Sequence, residues 1–144
     1  MDGVTHINVY SKGETKVGRW LSNFTYCPII TEDGSFNSIE GYWYWLTVRE
    51  ESLRVVHGFS AKKIGRESQK VVDIDSDVFR EKICKALDLK LKSRSKWVAE
   101  SVILPLDHYY KFGGKEVRAD KYMWIIEHLE MRIKQLKEHY KNKL

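Results

Sequence analysis

The chain has 144 residues, a formal net charge of +5 at pH 7 and an isoelectric point near 9.1. That length suits a single domain, read here over residues 1–144, whose core needs no disulfide support. Cys27 and Cys84 lie far apart and outside any metal or redox spacing, which excludes a disulfide scaffold and fits reduced thiols in a cytoplasmic protein.

The opening MDGVTHINVYSKGE lacks a basic stretch followed by an apolar one, and no apolar run reaches the length of a membrane span. No membrane partner is expected. The basic balance favours an acidic partner such as nucleic acid, phosphate or diphosphate. Lys134, Lys137, Lys141 and Lys143, near the C-terminus, equally suit the negative end of a helix and a solvated face. Oligomeric state is not legible from the pattern.

In chain order, Thr5–Tyr10 alternates and is rich in β-formers, Cys27–Ile30 is a short apolar run, and TEDGS at Thr31–Ser35 carries an Asp-Gly turn signal. A small antiparallel N-terminal sheet is predicted. Asn37, followed three residues later by Glu40, reads as a capping box opening a helix to about Glu51, through the consecutive rings Tyr42, Trp43, Tyr44 and Trp45. A second helix starts at the acidic Asp75–Asp77, with Phe79, Ile83, Leu87 and Leu91 at helical spacing and Arg80, Lys82 and Lys85 on the solvent face. FGGKEV at Phe112–Val117 reads as a hairpin turn; a Walker loop would need Ser or Thr where Glu116 stands. The last helix, from about Asp120 to Lys141, carries the stripe Tyr122, Ile125, Ile126, Leu129, Ile133, Leu136 and Tyr140. The expected fold class is therefore α+β, one helix-dominated domain with a small sheet.

The chain has no G-x-S-x-G elbow, no H-E-x-x-H and no G-x-G-x-x-G, and His6, His57, His108, His128 and His139 show no ligand spacing. Chemistry without a metal or cofactor is the expectation. Polar residues in apolar company stand out: Asn23 in LSNF, Glu40 at the head of the aromatic helix, Lys62 in SAKKIGR and Asp107 in PLDHYY. Taken singly, Glu40 could cap its helix, Asn23 make a turn, Lys62 face water and Asp107 follow Pro105 as a cap.

Taken together, LSNF, then SIE leading into an aromatic helix, then AKKIGR, FREKICKAL and a closing LEMRI resemble the NADAR or YbiA-like family from about Trp20 to Arg132. The resemblance implies a YbiA-like α+β fold and an N-glycosidase. The bond cleaved joins a ribose carbon to nitrogen, either in phosphorylated riboflavin-pathway intermediates or in ADP-ribose attached to guanine of nucleic acid. The second activity would suit an antitoxin or a phage counter-defence protein. Gly41 stands where the family usually has His, Thr47 where it commonly has Lys, and Tyr110 nearest a family Trp.

On that reading Glu40, Lys62 and Asp107 are the candidate catalytic residues. Glu40 would stabilise positive charge at the anomeric carbon, orient ribose hydroxyls or activate water. Lys62 would hold phosphate with Arg66 and Arg19, or attack the anomeric carbon and form a Schiff base, which requires a neutral amine favoured by burial or by neighbours such as Lys63. Asn23, with Ser22 and Phe24 beside it, would read the leaving base or a ribose hydroxyl. Neighbouring helical residues point about 100° apart, so some rings must be core; Trp43 and Tyr44, with Tyr110, are the expected site rings. Lys85, Arg94 and Lys96 are the expected rim for ADP-ribosylated nucleic acid. A non-catalytic module binding ADP-ribose or nucleic acid is the reading of a different class.

Overall fold

The structure is a computed structural model that describes residues 1–67 and 76–141. Asp75 and Lys143 lie outside the described residues. In chain order the elements are β1 (Ile7–Asn8), α1 (Lys16–Leu21), β2 (Ile29–Thr31), β3 (Gly34–Phe36), α2 (Ile39–Val48), a 3-10 turn (Glu51–Arg54), α3 (Gly58–Glu67), α4 (Asp77–Ser93), α5 (Ser95–Ser101), β4 (Leu106–Asp107), β5 (Tyr109–Phe112), β6 (Lys115–Arg118), a second 3-10 turn (Asp120–Tyr122) and α6 (Met123–Lys141). The mixture of helix and short strands is the expected α+β class.

The chain divides into two compact units, Met1–Ser22 with Leu91–Leu144, and Asn23–Lys90. In the first, β1 pairs parallel with β4, Ile7 opposite Leu106 and Asn8 opposite Asp107. The predicted N-terminal strand is thus short, and its partner comes from the other end of the sequence. Buried Asn8 explains the join: its Nδ2 donates to the Tyr109 carbonyl and its Oδ1 accepts the Tyr109 N–H, both at 3.0 Å. The FGGKEV hairpin forms as predicted, β5 against β6, with Gly113 and Gly114 at φ of 56° and 78° in the left-handed region such a turn requires. On α6, Ile125, Ile126, Leu129 and Ile133 are buried, and the Tyr140 hydroxyl bonds the Ser95 hydroxyl of α5.

In the second unit, β2 and β3 make the Asp-Gly hairpin. Among the described residues the strands form three separate pairs, two antiparallel and one parallel, rather than one antiparallel N-terminal sheet. The hairpin turn is tied down by Asp33. Its Oδ2 accepts from the Tyr42 hydroxyl at 2.6 Å and the Lys82 ammonium at 2.8 Å, and its carbonyl accepts from Arg54 at 2.8 Å. Burial alone would raise the Asp33 pKa, but the bonds from Lys82 and Tyr42 and the Lys82 charge hold it below the usual range. Lys82, expected on a solvent face, is therefore half-buried in an ion pair. Phe36, Ile39, Leu53, Ile83 and Leu87 are fully buried around these elements.

Candidate active site

Glu40 lies in the first turn of α2, where a carboxylate suits the positive end of the helix. The cap is Ser38 rather than Asn37. Its Oγ accepts the Gly41 N–H at 2.9 Å and donates to the Val56 carbonyl at 3.1 Å, which leaves the Glu40 carboxyl free of capping duty. A Cβ on Gly41 would stand 2.5 Å from the Leu53 carbonyl and 3.3 Å from that of Val56, so no side chain, histidine included, is accommodated at this position. Thr47 is buried and its hydroxyl donates to the Tyr44 carbonyl, a back-bond that leaves a neutral, internally satisfied group at this position.

Lys62 and Arg66 lie on α3, one turn apart. The loop Asn23–Phe24 is fastened to both helices: the Asn23 carbonyl accepts the Glu40 N–H and the Phe24 carbonyl accepts the Gly58 N–H, each at 3.0 Å. Phe24 also offers its ring to Lys62, whose Nζ lies 5.8 Å from the ring centroid. Close approach of the helices depends on Gly65, because a Cβ there would overlap the Tyr44 ring. Tyr44 is accordingly the ring that rests on α3. Trp43, read from the sequence as a site ring, is 8% exposed and meets Phe79 edge-on at 4.7 Å, so it belongs to the core.

Glu40 retains some accessible surface as a residue, but protein atoms replace most of the hydration of its carboxyl group. Burial pushes its pKa up to about 7, and the charges of Lys62 and Arg66 offset only part of that rise. An acid half-ionised near neutrality, facing two cations, can accept a proton and return it within one turnover.

The remaining sequence-predicted residues are divided between the two units. Arg19, Ser22, Asp107 and Tyr110 belong to the first unit. Arg19 donates to the Gly13 carbonyl at 2.8 Å, and Ser22 is the buried C-cap of α1. Asp107 accepts both Arg118 nitrogens, at 2.9 and 2.7 Å, and the His108 N–H. Burial would raise its pKa, but those bonds and the Arg118 charge hold it below the usual carboxylate range. Tyr110 meets His108 and Tyr10 edge-on. Of the rim residues, Lys85 pairs with Glu81 at 3.1 Å in the second unit; in the first, Arg94 lies over Trp97 at 4.0 Å and Lys96 is exposed.

Tyr26 and Phe59, unmarked in the sequence, and His57, weighed there only as a metal ligand, are all exposed and all carried by the segments that the Phe24–Gly58 bond joins. The dipeptide spacing of Phe24 and Tyr26 was the available signal. Among the described residues no group of three or more His, Cys, Asp or Glu could hold a metal ion, and no helix is long and apolar enough to cross a membrane.

No protein family and no curated protein matches the chain by sequence. The fold is similar to that of E. coli YbiA, solved by NMR, with a TM-score of 0.62 and 18% identity over 96% of this chain and 86% of that one. The α+β architecture is thus a YbiA-like fold.

Proposed function

We propose that the chain is an N-glycosidase that removes ADP-ribose from guanine bases of nucleic acid. The observation that carries this reading is the Glu40 carboxyl, poised at about 7 and facing Lys62 and Arg66 from a helix whose capping is done by another residue. The motif resemblance to the NADAR family and the YbiA-like fold support the reaction class. The basic balance supports a polyanionic substrate.

In the proposed reaction the Glu40 carboxylate takes a proton from Lys62, and the freed Nζ attacks the anomeric carbon. The Nζ–C bond forms as the bond from that carbon to the base nitrogen breaks, its electron pair leaving with the base. Glu40 returns the proton to the base. Opening of the ribose ring converts the glycosylamine to a Schiff base; water adds to the same carbon, Nζ departs, and the free sugar and lysine are regenerated. Asn23 and Phe24 flank the reacting sugar, and Arg66 holds phosphate.

Incubation with ADP-ribosylated DNA and, separately, with phosphorylated riboflavin intermediates tests the proposal through the released base or sugar. Turnover of the DNA adduct is expected. Cleavage of a riboflavin intermediate with none of the DNA adduct would transfer the activity to the small-molecule substrate. Binding of ADP-ribose with turnover of neither would identify a non-catalytic module.

A further inference from the structure

Exposed aromatic residues need a reason, since burying one large ring is worth about 1.5–3 kcal/mol. Tyr26 is 57% and Phe59 65% exposed, and each lies within three residues of a main-chain bond that ties the Asn23–Phe24 segment to Glu40 or to Gly58. Tyr26 is oriented by His57, whose ring meets it edge-on at 5.6 Å. The main-chain bond from Gly58 to the Phe24 carbonyl holds the Phe24–Tyr26 segment against the start of α3, where Phe59 projects. Gly58 adopts φ of 60° at this junction, so the close turn onto α3 uses its left-handed freedom.

The spacing along α3 gives these rings a meaning. Phe59, Lys62, Lys63 and Arg66 fall at i, i+3, i+4 and i+7, one stripe of the helix, whereas Ala61 and Gly65 form the buried face. At a rise of about 1.5 Å per residue, Phe59 lies about 4.5 Å to one side of Lys62 along the axis and Arg66 about 6 Å to the other. The stripe therefore reads, in order, flat apolar surface, amine beside a carboxyl group, and cation. An N-glycoside of a phosphorylated ribose has the same order of parts: heterocycle, anomeric carbon, phosphate.

We infer that Phe59 and Tyr26 form the subsite for the leaving heterocycle, with the phosphate of the sugar lying toward Arg66 at the other end of the α3 stripe. The inference rests on the N-glycosidase reading of Glu40 and Lys62 and fixes the direction in which substrate lies along α3. The rings bind by stacking, which is tolerant of base identity and worth about 1–3 kcal/mol per base. A purine or a comparably flat ring from another substrate would fit the same surface. His57 acts as a positioning residue for Tyr26.

Direct binding separates this inference from the reaction itself. Guanosine 5′-monophosphate and ribose 5-phosphate share a phosphorylated sugar and differ in the base. By calorimetric titration the wild-type protein should bind the nucleotide about tenfold or more tightly than the sugar phosphate. Phe59→Ala and Tyr26→Ala, both at exposed positions, should remove most of that preference while leaving ribose 5-phosphate affinity unchanged, and Phe59→Tyr should restore it. Arg66→Ala should weaken both ligands alike. Equal affinity of the wild-type protein for the two ligands, or a preference untouched by Phe59→Ala, would overturn the assignment. Wild-type protein that cleaves neither test substrate but shows the ring-dependent preference would contradict only the N-glycosidase reading; turnover without the preference would contradict only the stacking subsite.

Discussion

Glu40 shows how a residue can stand out in the sequence for the wrong local reason. The sequence marks it as half of a capping box with Asn37, but Ser38 does the capping. What sets Glu40 apart is burial beside two cations, a tertiary fact that no window of sequence carries. The same holds for Trp43, indistinguishable from its neighbours in the aromatic run until packing against Phe79 assigns it to the core. Raised from 4.5 to about 7, the Glu40 pKa has a consequence for stability. The folded protein binds this proton more tightly than the unfolded chain, so the stabilisation is complete below about 4.5 and is lost as pH rises through about 7. Glu40→Gln lacks this dependence. Its unfolding free energy relative to wild type should therefore climb between pH 4.5 and pH 8 by up to about 3 kcal/mol, read from denaturant titrations at both pH values; a flat difference would contradict the buried, perturbed acid. In activity the carboxylate is the competent form, so kcat/KM should rise through an acidic limb centred near 7. The Gln variant should lose on the order of a hundredfold, and near-normal turnover by it would leave Glu40 without a catalytic role.

Among the elements, those with a wide apolar stripe or a Gly-containing turn were legible: α4, α6, and the hairpins at Asp33–Gly34 and Gly113–Gly114. Helix α3 was not, because its buried face consists of Ala61 and Gly65, too small to register as hydrophobic periodicity. Yet that smallness is what lets α2 and α3 approach and sets Lys62 beside Glu40. Gly65→Ala must displace the Tyr44 ring or part the helices. A cost of about 1–3 kcal/mol in stability is expected, together with a fall in kcat larger than Ser60→Ala causes at an exposed α3 position. Thermal unfolding and kinetics measured on the two variants check this; equal effects at both positions would separate the crossing from the chemistry. The pairing of β1 with β4 was illegible for a different reason, since parallel partners nearly a hundred residues apart leave no local turn signal.

For the whole molecule, the pattern of helices and short strands carried the α+β fold class, while the expected acidic partner rests on composition and the proposed reacting residues on the order of short motifs. If the substrate is attached to nucleic acid, counterions are released on binding, and log affinity should fall with log salt at a slope of about 0.7–0.9 per phosphate contacted. Lys96→Glu or Lys85→Glu should flatten that slope without changing turnover of a free ADP-ribosyl nucleoside, in kcat/KM measured from low to physiological salt. An unchanged slope would remove these lysines from the rim. The central claim, that Lys62 opens the glycosidic bond with Glu40 as its proton acceptor, is tested most directly by adding borohydride during turnover of ADP-ribosylated DNA and mapping the modified peptide. The expected result is an ADP-ribose adduct reduced onto the Lys62 Nζ and much diminished in Glu40→Gln; active turnover that leaves no adduct, or one placed on Lys63, would contradict it.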